Sequence, residues 1–257
     1  MGKYLIESAL LGQGLPGLTE EELESLWPEN PDGEIAWMKA GTLITGGISK
    51  FVRFRKETEN CARICYQNFE TAAEQKRTGF LTASGTMKAC EKLQVPFAVS
   101  CGIGGLKTQQ TIESCHDLLA LKESRVSLIA ASPKDMFDLE HTLKEAQKEG
   151  IYVSGCGDNV CNGYLFLQNP VEIPSDLKIM QDKNRLLLRK IPKKKRIQDD
   201  SIFEQALRYA KEAEKRELLF HPSFNQKVDE LTEGYSSRVQ LEALISNIRW
   251  LEENVTI

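Results

Sequence analysis

Two side chains in this sequence stand where α/β proteins do chemistry. Lys134 follows the apolar run of residues 126–131 through Ser132-Pro133, at the carboxyl end of a predicted strand, where open α/β sheets form ligand sites. A lysine desolvated there tends toward the neutral amine, which can attack a carbonyl or an anomeric carbon and give a Schiff base. Glu7 lies in an N-terminal apolar segment that runs into Gly12-Gln13-Gly14-Leu15-Pro16-Gly17. A partly buried carboxyl at that position carries a raised pKa and can act as a general acid. A third group, Glu113, Cys115, His116 and Asp117, sits in one short stretch. On a continuous helix positions 113, 116 and 117 share a face, so two carboxylates and an imidazole can converge on a divalent cation. Each has an ordinary alternative: a solvated lysine, a lone carboxylate and a solvated helix face.

Two further patterns carry less. Gly102-Ile103-Gly104-Gly105 suggests a dinucleotide loop, yet Lys107 stands where the third glycine of that fingerprint belongs. Cys156 and Cys161 alone fall short of a tetrahedral zinc site and read as ordinary thiols.

The elements that must position these residues follow from periodicity and punctuation. Residues 4–11 read as a short buried strand running into the glycine-rich turn. Thr19 with Glu22 forms a capping box that opens a helix stopping before Pro28. Residues 34–45 read as a hairpin around Ala40-Gly41, while 50–76 are polar and helix-compatible. Beyond them, 84–93, 112–122 and 138–149 have helical patterns, and 97–100, 126–131 and 151–154 read as buried strands. Strands alternating with helices predict βαβ units, a parallel or mixed sheet and helices on both faces. Residues 155–191 carry no regular pattern, and the basic run Pro192-Lys193-Lys194-Lys195-Arg196 reads as a solvated loop. Helices are predicted over 200–218 and 241–251.

Composition bounds the function. The chain has 257 residues, 33 basic and 37 acidic, for a net charge of −4, so no overall positive field draws it to nucleic acid or a membrane. No stretch approaches the roughly 20 apolar residues of a membrane span, and residues 1–7 are too short an apolar run for a signal sequence. The 7 cysteines are scattered and odd in number, which favours free thiols and a cytoplasmic setting.

Taken in order, these landmarks resemble the pseudouridine-5′-phosphate glycosidase family, also called indigoidine synthase A-like, nearly end to end. The family's strand leading into Glu-Ser-Thr and His-Gly-Met-Pro is similar to Ile6-Glu7-Ser8-Ala9-Leu10-Leu11-Gly12-Gln13-Gly14-Leu15-Pro16. Its Lys-Val-Ser-Arg-Arg-Asp and Gly-Ala-Thr-Thr-Val-Ala-Ala-Thr-Met segments resemble Arg63-Ile64-Cys65-Tyr66-Gln67-Asn68 and the stretch from Gly79 to Met87. Its glycine turn resembles Cys101-Gly102-Ile103-Gly104-Gly105-Leu106-Lys107, and its Phe-Asp-Ile-Ser-Ala-Asp-Leu resembles Ile112-Glu113-Ser114-Cys115-His116-Asp117-Leu118. Its Gly-Ala-Lys-Ser-Ile-Leu-Asp resembles Ser132-Pro133-Lys134-Asp135-Met136-Phe137-Asp138, and an Asn-Asn pair is similar to Ser246-Asn247.

The resemblance implies a single α/β domain over residues 1–257, three-layer α/β/α with a mixed, largely parallel central sheet. It implies a glycosidase or lyase that cleaves the C–C glycosidic bond of pseudouridine 5′-phosphate, or a related ribose 5-phosphate conjugate, through a lysine imine. Glu7 would be the proton donor and Lys134 the nucleophile. Arg63, Ala83, Cys115, His116, Asp117 and Asn247 would contact the substrate, and Glu113 would hold Mn²⁺ or another divalent cation. Family members also imply a homotrimer acting on a small phosphorylated nucleoside or sugar. Gln13 and Lys107 stand where the family has histidines, Cys115 where it has a hydroxyl, and Glu113 where it has the shorter aspartate. These replacements leave acid and nucleophile in place and predict altered substrate choice. The alternatives are the same imine chemistry on an N-glycoside phosphate, or a non-catalytic protein that binds a phosphorylated nucleoside.

Overall fold

The apolar runs at Leu5–Glu7, Phe97–Val99 and Ser127–Ala130 have no solvent-facing side, as strands must when helices cover a sheet on both faces. The computed structural model of the chain describes residues 2–58, 61–175, 185–218 and 220–255. In it a nine-stranded mixed sheet runs in the order Tyr152–Gly155, Arg185–Leu188, Ser127–Ala130, Phe97–Val99, Leu5–Glu7, Glu34–Lys39, Gly79–Leu81, Ala62–Ile64, with Thr42–Gly46 also paired to Glu34–Lys39. The first six of these strands are mutually parallel. The sense reverses at Gly79–Leu81, which pairs antiparallel to Glu34–Lys39.

Alternate side chains along each strand enter different cores. Tyr4, Ile6, Val99 and Ile129 join one, with Phe51, Phe224, Leu244 and Ile248 from the helices Ile48–Glu57, Phe220–Leu231 and Tyr235–Asn254. Leu5, Ala98, Leu128 and Ala130 join the other, with Met87, Leu118 and Leu143 from Ala83–Leu93, His116–Glu123 and Leu139–Lys148. The period of two along a strand thus feeds two helix layers, and the fold is the expected α/β/α arrangement with a mixed, largely parallel sheet. No helix among the described residues is long and apolar enough to cross a membrane.

Most predicted elements are present, and the departures have local causes. The strand at residues 4–11 ends at Glu7 and the chain then coils, with a π-helical turn at Leu10–Gly14. The Thr19–Glu22 capping box is formed and opens the helix Glu20–Leu26. The hairpin turns at Ala40 and Gly41, both at positive φ (49° and 79°), the conformation of a tight two-residue turn. Residues 50–76 hold the helices Ile48–Glu57 and Phe69–Glu74 and the short strand Ala62–Ile64 between them, rather than one polar helical stretch. The region 155–191 is not wholly irregular. Its Arg185–Leu188 lies inside the sheet between Tyr152–Gly155 and Ser127–Ala130, and residues 176–184 lie outside the described part. The basic run is solvated only in part. Arg196 is 2% exposed and donates to the carbonyls of Ile191, Asn162 and Phe166, so it braces a loop from inside.

Candidate active site

Three neighbouring parallel strands deliver the central residues. Glu7 ends the first; Ser100 and Ala131 directly follow the other two, Phe97–Val99 and Ser127–Ala130. Past these ends Gly102–Ile103 pairs in parallel with Ser132–Pro133, and the Ile103 carbonyl accepts the Lys134 amide at 3.0 Å. The next residue, Asp135, is buried and accepts the amides of Tyr164, Leu165 and Phe166 at 2.7, 2.8 and 3.1 Å. Lys134 therefore sits on a backbone held from both sides.

A cavity of about 540 Å³ opens beyond the strand ends. Glu7 and Lys134 line it, together with Arg63, Ala83 and Asp117; Cys115 and His116 do so as well. Burial drives the Lys134 ammonium below its ordinary pKa, the Arg63 cation adds to that, and Glu7 and Asp117 oppose it. Burial also pushes the Glu7 carboxyl up to about 7, against a hydrogen bond from Ser100 and the attraction of Lys134. An amine disposed to lose its proton and a carboxyl disposed to keep one thus share a cavity. That combination suits nucleophilic attack followed by proton donation.

The surrounding residues hold this geometry. Asp117 accepts the amide of Ser84 at 2.9 Å through one oxygen and that of Gly104 at 2.8 Å through the other. It thereby ties the glycine turn to the start of Ala83–Leu93. Gly104 admits no side chain, because a Cβ there would meet the Cys115 sulfur at 2.9 Å. Arg63 donates to the Gln13 side chain at 3.3 Å, Gln13 donates to the Cys61 carbonyl at 2.9 Å, and Asn68 donates to the Arg63 carbonyl at 3.2 Å. The Arg63 cation and the amino end of Ala83–Leu93 border one cavity and favour an anion there.

Two predicted residues fall elsewhere. The helix expected over 112–122 is broken: Ile112–Ser114 is a separate 3-10 turn, and Cys115 is extended (φ −126°, ψ 107°) before His116–Glu123 begins. Glu113 therefore does not share a helix face with His116 and Asp117. It is exposed, bonds to Thr111 and is not among the residues lining the cavity. Asp117 does line it, but each of its oxygens already accepts a backbone amide, and the described residues contain no group of three or more His, Cys, Asp or Glu able to hold a metal ion. The convergence of Glu113, His116 and Asp117 that a continuous helix would give is therefore absent. Asn247 is buried behind the cavity, donating to the Ser100 carbonyl at 2.9 Å.

Sequence reasoning missed Ser100 and His221. His221, on the helix Phe220–Leu231, lines the cavity edge-on to Phe137, with ring centroids 5.1 Å apart. Burial and the cations Lys134, Arg63 and Lys107 push its pKa to about 3, so it is a neutral imidazole. The signal lay in Phe220, Phe224 and Val228 at helical spacing. Lys107 sits over the Phe220 ring, 5.2 Å from its centroid, and shares that wall. A neighbouring cavity of about 610 Å³, bordered by Asp138, Glu140, Asp200 and Glu204, brings together no comparable amine and acid.

Comparison with known proteins gives matches in both sequence and fold. A family profile described as indigoidine synthase A like protein matches residues 35–253. A pseudouridine-5′-phosphate glycosidase of Thermus thermophilus is 24% identical over 96% of this chain and 94% of its own length. Its counterpart in Petrotoga mobilis is also 24% identical, over 94% of this chain and 87% of its own. Among solved structures, an indigoidine synthase A-like protein of Thermotoga maritima superposes with a TM-score of 0.76 at 17% identity, covering 98% of this chain and 93% of that one. The prealnumycin C-glycosynthase in complex with ribulose 5-phosphate gives 0.73 at 17% identity, over 96% and 88%. The two structural likenesses bear on the fold.

Proposed function

Because this chain belongs to the indigoidine synthase A-like family, we propose that it cleaves the C–C glycosidic bond of pseudouridine 5′-phosphate or a related ribose 5-phosphate conjugate, with Lys134 as nucleophile and Glu7 as general acid. The observation that carries this reading is one cavity holding a lysine whose ammonium is disfavoured, a glutamic acid that keeps its proton to about pH 7, and the Arg63 cation.

The residues then have separate tasks. Arg63 and the Ala83 amide hold the phosphate; Cys115, His116 and Asp117 border the sugar. The Lys134 amine attacks C1′ and the C1′–O4′ bond breaks, the ring oxygen taking a proton from Glu7. The new ammonium returns a proton to the Glu7 carboxylate. The nitrogen lone pair then forms the C1′=N bond as the base departs, and Glu7 protonates the base carbon. Water adds across the imine, releasing ribose 5-phosphate, Lys134 and the proton that Glu7 regains. The Mn²⁺ expected at Glu113 enters no step. The proposal includes assembly as a homotrimer, which light scattering on the eluted protein reads directly.

Borohydride added to protein incubated with pseudouridine 5′-phosphate should leave a ribose-phosphate adduct in the intact mass, absent from Lys134→Ala. Unchanged turnover in Lys134→Ala would remove the imine from the reading.

A further inference from the structure

The Glu7 carboxyl touches a residue to which neither the resemblance nor the cavity lining assigns a role. The Ser100 hydroxyl donates to Glu7 Oε2, and both groups are buried. Ser100 is itself fixed at both backbone atoms: its amide donates to the Ile129 carbonyl at 2.9 Å and its carbonyl accepts Asn247 Nδ2 at 2.9 Å. Asn247 projects from the helix Tyr235–Asn254, and Gln240, two turns earlier, grips the next residue. The Gln240 carbonyl accepts the Cys101 thiol at 3.2 Å, and its side chain accepts the Tyr164 hydroxyl at 3.1 Å. One helix thus clamps residues 100 and 101 against the carboxyl end of their strand.

We infer that Ser100 is a positioning residue for the general acid, selecting which Glu7 oxygen carries the transferable proton, and that Asn247 acts through it without touching substrate. A neutral carboxyl group has one oxygen that accepts and one that donates. The Ser100 hydroxyl occupies Oε2 as an acceptor, which leaves the proton on Oε1; among the described residues Oε1 makes no hydrogen bond. After the proton is given up, the same hydroxyl stabilises the carboxylate and keeps Glu7 a stronger acid than burial alone would make it. Glu7 can then both give and retake a proton within one turnover. The other groups acting on it are Lys134, Asp117 and Arg63 around the cavity, with Cys101 and Tyr164 behind it.

This role for Ser100 rests on the proposed function, but its test does not need substrate. With carboxyl-¹³C glutamate incorporated, the Glu7 signal, identified by its loss in Glu7→Gln, reports the titration in the free protein. Ser100→Ala should raise its midpoint by about one pH unit, and Ser100→Thr should restore it. Asn247→Ala should move it the same way by less. In turnover of pseudouridine 5′-phosphate, Ser100→Ala should lower kcat with KM unchanged and shift the alkaline limb upward. An unmoved Glu7 midpoint in folded Ser100→Ala overturns the inference. Absence of turnover in the unmodified protein overturns the proposed function and leaves the titration to decide the role of Ser100.

Discussion

Between an ordinary glutamate value near 4.5 and its own value of about 7, Glu7 is protonated in the folded chain and ionised in the unfolded one. The unfolded state binds fewer protons there, so this group lowers stability as pH rises through that window. His221 has the opposite sign. Its pKa falls from 6.5 to about 3, so the unfolded chain binds the extra proton and stability is lost as pH falls below 6.5. Glu7→Gln, which keeps a neutral group beside Ser100, should therefore stabilise the protein by on the order of 2 kcal/mol at pH 7.5, with the gain fading toward pH 4.5. The same variant should lose roughly a hundredfold or more in kcat, because an amide donates no acid proton. Thermal melts across pH together with steady-state rates check both halves; equal melting of the two proteins at pH 7.5 would contradict the burial argument. Glu7 and Lys134 were legible in the sequence because strand ends are visible as apolar runs. Ser100 and Asn247 were not legible as partners, since their hydrogen bond joins residues 147 positions apart.

The elements reach the site through close backbone approaches that only small residues permit. The strand Ala62–Ile64 carries Arg63, and the helix Ala83–Leu93 begins against its last carbonyl. A Cβ on Gly85 would stand 2.1 Å from the Ile64 carbonyl oxygen, the same oxygen that accepts the Thr82 amide at 2.9 Å. Gly85→Ala should therefore push the helix off the strand and cost about 2 kcal/mol. It should also raise KM for the phosphorylated substrate more than it lowers kcat, because Arg63 and the Ala83 amide, the proposed phosphate contacts, separate. Chemical denaturation and initial rates measure the two effects, and an unchanged denaturation midpoint would refute the steric account. The start of Glu20–Leu26 followed from Thr19, whose side chain caps it, and in the structure Thr82 and Asp138 cap the starts of Ala83–Leu93 and Leu139–Lys148 in the same way. The kink at Cys115 was hidden because residues 112–122 keep helical spacing on both sides of it. Arg185–Leu188 was hidden for another reason. As a strand inside a sheet it shows no alternation, and Arg185 and Arg189 confine its apolar run to Leu186–Leu188.

Over the whole molecule, two cores lie on opposite faces of one sheet and are coupled through strands that contribute alternate residues to each. Leu118→Ala in one and Leu244→Ala in the other, both fully buried, should each cost about 2–5 kcal/mol and lower a single shared transition. Circular dichroism and tryptophan fluorescence should then superimpose on melting. Two separated transitions in either variant would mean that the cores unfold independently.

The clamp from Asn247 also fixes when the site is completed. Chains emerge amino end first at about 5–20 residues per second, so Asn247 leaves the ribosome some tens of seconds after Glu7 and well after Lys134. A growing chain therefore carries Glu7, Ser100 and Lys134 before Asn247 is there to brace the Ser100 carbonyl. The brace on the proposed general acid thus comes from Tyr235–Asn254, the last helix among the described residues, and is the part of the site that synthesis supplies last.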